Sequence, residues 1–300
     1  MYRLSRLTRF GTLRPTSPRN FIRSHGTLQH RLRVVDAPHI SYAHDPGHVY
    51  KVASELETSG LLKIRLGFAD DSCDYLRDLI LNMHKQHGHH LPIAHSATRG
   101  WFWDVRPKPA STTGAHHARS ETMSEFSWHT DCSYEDPLPR YFALQVLQHD
   151  RYGGGTLSAM NVASLIEFLS PETRKALMAP EFRMQIPPEF IKDPEKSFTT
   201  GSILAPDHHS IIIRYRHDII APLTARAEKA LEELSAVLVR REVQASSTMH
   251  LRSSDLPKGS IILMDNRRWM HARNEIADPE RHLRRVRWDA RPFNMSNDES

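Results

Sequence analysis

Residues 128–156 read WHTDCSYEDPLPRYFALQVLQHDRYGGGT, and three features of this stretch organise the reading of the whole chain. At its start, His129 and Asp131 stand two apart. Residues i and i+2 of an extended segment face the same way, so an imidazole and a carboxylate there could hold one ion together. The pair forms the only His-x-Asp/Glu triplet in the chain. Residues 141–148, YFALQVLQ, read as a strand. Residues 150–155 read as a turn whose three glycines permit close backbone approach.

On the N-terminal side, residues 48–59 predict a helix closed by Gly60, and residues 61–66, LLKIRL, a strand. Residues 70–87 predict a second helix, with Leu76, Leu79, Ile80 and Met83 at helical spacing and Gly88 where a cap belongs. Residues 91–125 carry prolines, a Ser-Thr-Thr-Gly run and the paired His116 and His117, a pattern of long loops.

On the C-terminal side, residues 161–169 and 171–178 predict helices, the latter with Ser170 as N-cap and Pro171 in first position. Residues 223–241 predict one long helix. Strands are expected at residues 183–186, 210–216, 260–265 and 282–290. Helices first and then many short strands, without regular strand–helix alternation, predict a mainly β, α+β fold of jelly-roll or barrel type with flanking helices.

A third ligand for the His129–Asp131 pair would have to come from far along the sequence. His271, in IILMDNRRWMHARNEI (261–276), follows a strand and a turn, as an imidazole returning across a barrel mouth would. Two histidines and one carboxylate leave three positions open on an octahedral ion, the arrangement of non-haem Fe(II) oxygenases. A carboxylate-oriented histidine beside an unrelated one is the alternative.

The segments WHTDCSYEDPLPRYFALQVLQHDRYGGGTLSAMNVASLIEFL, KGSIILMDNRRWMHARNEI and RHLRRVRWDARPF, in this order, resemble the Fe(II)/2-oxoglutarate dioxygenases of the taurine dioxygenase and clavaminate synthase-like superfamily. The resemblance covers roughly residues 120–292, with a weaker match from about 34. It implies a double-stranded β-helix, which is a jelly roll, with helices outside. It implies His129, Asp131 and His271 as iron ligands, and Thr156 as a hydrogen-bond partner of 2-oxoglutarate. Arg281 is then the partner of the far carboxylate, and Arg285 a second arginine near the substrate or cosubstrate.

The implied cofactors are Fe(II), 2-oxoglutarate and O2. The implied reaction oxidises, by hydroxylation or desaturation, an unactivated C–H bond of a small amino-acid-like or secondary-metabolite substrate, releasing succinate and CO2. Halogenating relatives have a small residue where this chain keeps Asp131, so halogenation is disfavoured. Independently, residues 281 and 285 share a strand face, and guanidinium suits bidentate carboxylate binding. The neighbouring Arg284 and Arg287 leave the inward set open, because a one-residue slip would swap it. The competing readings are a jelly-roll metal-binding protein without turnover and a cupin-like metal enzyme without 2-oxoglutarate; neither needs the anion clamp of Thr156 and Arg281.

Among lesser features, Trp101, Phe102 and Trp103 read as core before substrate wall. Arg214 and Arg216 could reach an anionic substrate, and Cys132 would face away from the ligands in an extended strand. No P-loop, nucleophile elbow or dinucleotide fingerprint is found.

The net charge of +5 is unevenly spread. Residues 1–33 hold eight arginines and no Asp, Glu or Lys, which leaves the remaining chain at −3. A nucleic-acid binder would carry its basic patch on the folded body, so that partner class is set aside in favour of a small molecule. The acid-free leader fits a mitochondrial presequence or a solvated arm. The expected organisation is a leader (1–33), one domain (34–293) and a tail (294–300). Two cysteines cannot make a disulfide framework and suit a reducing intracellular compartment, cytoplasmic or mitochondrial. No stretch nears the roughly 20 apolar residues of a membrane span.

Overall fold

The computed structural model describes residues 32–94, 100–108, 118–207 and 210–293. The leader up to residue 31, the tail, the Ser-Thr-Thr-Gly run, His116 and His117 lie outside the described residues. Leu32 and Arg33, expected in the leader, belong to the fold: Leu32 packs on an apolar core cluster and Arg33 opens the first strand.

The N-terminal part comprises β1 (Arg33–Ala37), α1 (Pro46–Ser59), β2 (Leu61–Leu66) and α2 (Asp74–His87). Asp45 accepts the His48 N–H to begin α1, and Gly60, left-handed at φ 69°, ends it. α2 starts four residues later than its periodicity predicts. Asp70 stays outside as a cap, its carboxylate accepting the Asp74 and Tyr75 N–H groups.

Next come β3 (Trp103–Val105), β4 (Phe126–His129), β5 (Leu138–Gln148), β6 (Leu157–Asn161), α3 (Val162–Ile166) and α4 (Pro171–Leu177). The short strands β7 (Phe182–Gln185), β8 (Phe198–Gly201), β9 (Leu204–Asp207), β10 (Ser210–Ile213) and β11 (Ile220–Pro222) follow. The chain continues through α5 (Ala225–Leu238), α6 (Arg241–Ser247), β12 (Thr248–Leu251), β13 (Ser260–Asp265), β14 (Trp269–Arg273) and β15 (His282–Arg291). The single helix expected over 223–241 is shorter at both ends. Thr224 caps α5, and Arg240 turns extended at ψ 133° before α6 begins.

Six strands form one sheet in the order β1-β2-β13-β5-β15-β3, and four form a second, β12-β6-β14-β4. Two smaller sheets, β11-β7-β8 and β10-β9, lie outside these. Strand alternation sorts the residues of the large sheet. Tyr141, Ala143, Val286 and Trp288 join the apolar faces of α1 and α2 in one core cluster. Their neighbours Phe142, Leu144, Val146 and Leu283 face the other way and pack with Leu157, Ala159, Leu251 and Trp269 of the four-stranded sheet. The far side of that sheet, through Met160 and Met270, is covered by α3, α4 and α5. The result is a mixed, sheet-rich fold in four layers, helices outside and two sheets within. Its inner faces carry the side chains considered next.

Candidate active site

β4 and β14 are antiparallel neighbours, and His129 stands directly opposite His271. Their ring centroids are 4.0 Å apart. On the other side of β14, His271 faces Ala159 of β6, whose small side chain leaves the imidazole space.

Asp131 reaches the pair by a different route from the one its spacing predicts. β4 ends at His129, and residues 131–134 form a turn, so the extended-segment rule does not apply. Asn266, in the turn between β13 and β14, fixes this segment instead. Its side-chain oxygen accepts the Asp131 N–H at 2.7 Å, and its amide donates to the Asp131 and Pro139 carbonyls at 2.8 and 3.0 Å. Cys132, expected in an extended strand, is left-handed at φ 58° and is buried with its sulfur against the Arg287 guanidinium. One potential ligand atom each from His129, Asp131 and His271 lies within 4.8 Å of the others, and all three residues are buried.

The ring chemistry fits a cation. The His129 Nδ1–H donates to the Ser127 carbonyl at 2.7 Å, which leaves Nε2 with its lone pair free to ligate. Burial, with the neighbouring His271 next, holds His129 well below the usual imidazole range; burial also pushes His271 down to about 4. Both rings are therefore neutral at pH 7, the form that binds metal. His271 Nδ1 is buried without a hydrogen-bond partner among the described residues, and Nε2 lies 4.0 Å from Asp131 Oδ1.

Three arginines of the last strand region face the same interior. Arg285 donates from Nη1 to Asp131 Oδ1 at 2.8 Å. Arg287 is fully buried beside Cys132 and 3.5 Å from Glu135. Arg281 is 5% exposed and its Nη1 has no hydrogen-bond partner among the described residues. Burial draws its pKa down to about 10, so the cation persists at neutral pH. Arg284 points away and pairs with Asp104 at 2.9 Å, which settles the strand's register.

Arg281 lies on Gly155, where a Cβ would come within 2.7 Å of its Nε. Gly155 also has φ +65°, so glycine is required there twice over. Thr156 follows Gly155 directly, and its backbone N–H donates to Asn274 Oδ1 at 2.6 Å.

The site's outer side is aromatic. The Phe126 ring stacks on His129 with centroids 3.5 Å apart, and Arg216, held by both oxygens of Asp218 at 2.9 Å, lies over Phe126. Arg119, Phe126 and Arg216 border both the void at the trio and a cavity of about 320 Å³ further out, which Trp128 and Asp218 also line. Arg214 belongs to the core instead, donating to the Ser202 carbonyl and stacking on Phe293. Trp103 is buried 5.6 Å from Phe190, and Trp101 and Phe102 pack against the helix-side cluster.

The family pattern of the taurine catabolism dioxygenases TauD and TfdA matches residues 56–287. The chain belongs to this family. An L-asparagine oxygenase of Streptomyces coelicolor is 29% identical over 195 residues, 65% of this chain and 54% of that relative, so the match spans about half the relative's length. Among solved structures, asparagine oxygenase in complex with Fe(II), 2S,3S-3-hydroxyasparagine and succinate superposes with a TM-score of 0.66 at 22% identity, covering 86% of this chain and 83% of that one. The non-heme iron oxygenase OrfP in complex with Fe and alpha-ketoglutaric acid gives 0.61 at 17% identity, covering 83% and 82%. At these identities the likeness shows the fold. Within this TauD/TfdA family member, no helix among the described residues is long and apolar enough to cross a membrane.

Asn266 and the aspartates around the glycine turn had no distinct sequence signal. An asparagine in a two-strand turn and an aspartate before glycines are ordinary turn chemistry. Only their long-range partners give them a further role.

Proposed function

We propose that this protein is an Fe(II)/2-oxoglutarate-dependent oxygenase that oxidises a C–H bond of a small amino-acid-like molecule. The observation that carries this reading is the buried His129–Asp131–His271 cluster together with Arg281, a buried cation whose Nη1 lacks a hydrogen-bond partner among the described residues. A metal-binding protein without turnover needs the cluster but not that cation. The two inner sheets support a double-stranded β-helix, with residues 32–293 as the catalytic domain.

In this reading His129, Asp131 and His271 hold the iron, and Arg281 takes the far carboxylate of 2-oxoglutarate as a planar fork. When bound, iron and 2-oxoglutarate together supply the oxidising chemistry, consuming O2 and releasing succinate and CO2. Arg285 orients Asp131 through the 2.8 Å bond to Oδ1. Thr156 would hydrogen-bond 2-oxoglutarate, with its backbone N–H tied to Asn274 Oδ1 in the turn beneath Arg281. Phe126 shields one face of His129 from water. The protein's work is positioning and exclusion of water.

The substrate class rests on two supports. The asparagine oxygenase relative holds hydroxyasparagine, and an OrfP structure holds (3S)-hydroxy-L-Arg with succinate. The outer cavity of about 320 Å³ is bordered by Arg119, Arg216 and Asp218, charges of both signs suited to a zwitterion. The buried free thiols Cys73 and Cys132 suit a reducing compartment.

The test is succinate release with Fe(II), 2-oxoglutarate and a panel of amino acids and derivatives. Formation of succinate with an oxidised amino acid supports the reading. Metal binding without 2-oxoglutarate binding or succinate release across the panel would overturn it.

A further inference from the structure

Two loops meet beneath Arg281 and exchange aspartates. Asp150, in the turn after β5, is buried and accepts four backbone N–H groups. Its Oδ1 takes those of Tyr152 and Gly154 at 2.9 and 3.1 Å, within its own turn. Its Oδ2 takes those of Ala277 and Asp278 at 2.8 and 3.1 Å, in the loop leading to Arg281. Asp278 reciprocates, accepting the Arg151 backbone N–H at 3.2 Å and the Arg151 side chain at 2.6 and 2.9 Å.

The lock has no slack. Gly155 N–H donates to the Glu275 carbonyl at 2.8 Å, and a Cβ at Gly154 would come within 2.5 Å of the Ala277 nitrogen. The floor this creates, at Gly155, is where the Arg281 guanidinium rests. An ionised carboxylate offers about four lone-pair sites, and all four on Asp150 are directed to backbone donors. Asp150 therefore acts on Arg281 through its field without a hydrogen bond to it. Arg281 is left oriented but free to pair.

We propose that Asp150 is a positioning residue for the cosubstrate: by locking residues 150–156 to residues 274–281 it fixes the guanidinium of Arg281 for the carboxylate of 2-oxoglutarate remote from the metal. The inference rests on the oxygenase reading above and adds to it a residue that touches neither metal nor cosubstrate. Asp150→Asn keeps the volume but turns one edge of the side chain into an NH2 donor facing two N–H groups, which releases half of the lock.

The test is calorimetric binding of 2-oxoglutarate and of pyruvate, which lacks the remote carboxylate, to the full chain loaded with Mn(II). In Asp150→Asn, 2-oxoglutarate affinity is expected to fall on the order of tenfold or more, as for loss of a charge-assisted contact, and pyruvate affinity by less than about threefold. The preference for 2-oxoglutarate thus narrows. Equal loss for both ligands would indicate general loosening and overturn the proposal, as would unchanged 2-oxoglutarate affinity. Should Asp150→Asn fail to fold, Asp278→Asn opens the same lock from its other side; the same narrowing is expected, and an unchanged preference overturns the proposal. A wild-type protein with no preference for 2-oxoglutarate over pyruvate would overturn the oxygenase reading itself, a failure visible before any substitution is made.

Discussion

His129 and His271 are register partners across β4 and β14, with ring centroids 4.0 Å apart although 142 positions separate them in the chain. The sheet, not a loop, sets their separation, so the two imidazoles are held as rigidly as the strands themselves. A ligand pair built on paired strands is pre-formed and loses little entropy when an ion enters.

Replacing either histidine by alanine is expected to abolish Fe(II)-dependent succinate formation, by at least about a hundredfold, the upper range for even outer-shell changes at metal sites. The fold is expected to persist, because each change removes a neutral ring from a cavity wall. Circular dichroism together with bound-metal analysis checks this; full activity in either variant would refute the ligand assignment.

Asp131→Ala is expected to behave differently from the histidine variants. Arg285 and Asp131 are 8% and 5% exposed at their side chains. Removing the carboxylate strands a buried guanidinium, which costs about 3–5 kcal/mol. Denaturant unfolding of the metal-free protein should show this loss for Asp131→Ala and much less for His271→Ala.

Arg281→Lys keeps the charge but loses the planar fork. A charge-assisted hydrogen bond contributes about 1.5–3 kcal/mol, so the apparent 2-oxoglutarate requirement should rise on the order of ten- to a hundredfold. The maximal rate should change less, because the contact is the same in ground and transition states. Steady-state titration of 2-oxoglutarate at saturating substrate measures both quantities.

Arg285→Lys should act chiefly on the metal. The only hydrogen bond Arg285 makes among the described residues is to Asp131, so its loss should loosen iron and leave 2-oxoglutarate affinity nearly unchanged. Competition of the variant with a metal chelator is the measurement. A large 2-oxoglutarate defect with tight iron would show that Arg285 serves the cosubstrate.

Stability should decline on mild acidification through His89. The Trp288 indole N–H, which can only donate, is bonded to His89 Nδ1 at 3.1 Å, and burial lowers the pKa of this histidine. The folded protein therefore resists protonation there, while the unfolded chain takes a proton near the ordinary value of about 6.5. The contribution is complete above that value and is lost as pH falls below it. Melting temperatures between pH 7.5 and 5 should drop, and His89→Gln, which cannot titrate, should make the slope shallower, leaving the part that buried His129 and His271 contribute in the same direction.

Much of this protein is determined by the sequence alone. The helix expected over residues 48–59, observed two residues longer at its start, and the strands over 61–66 and 260–265 follow from apolar spacing, a capping glycine and strand-forming composition, all of which act between near neighbours. The grouping of His129, Asp131 and His271, which the structure brings within 4.8 Å, was also legible in the sequence through residue type and motif order, with Arg281 and Arg285 added as what the family resemblance implies. Other features were decided only by the tertiary structure. β4, β6, β12 and β14 are four or five residues long, too short for alternation to be read, and they exist because neighbouring strands supply their hydrogen bonds. The convergence of Asp131 depends on Asn266, 135 positions away. The division of the β15 arginines, with 285 and 287 inside and 284 outside, depends on the register of β15 beside β5 and β3, which sets the side of the sheet each residue takes. Each of these is a long-range pairing, whose loop-closure cost and geometric constraint have no local signature. The chain folds locally by rules its neighbours obey, and assembles its site by contacts that only the closed sheets can make.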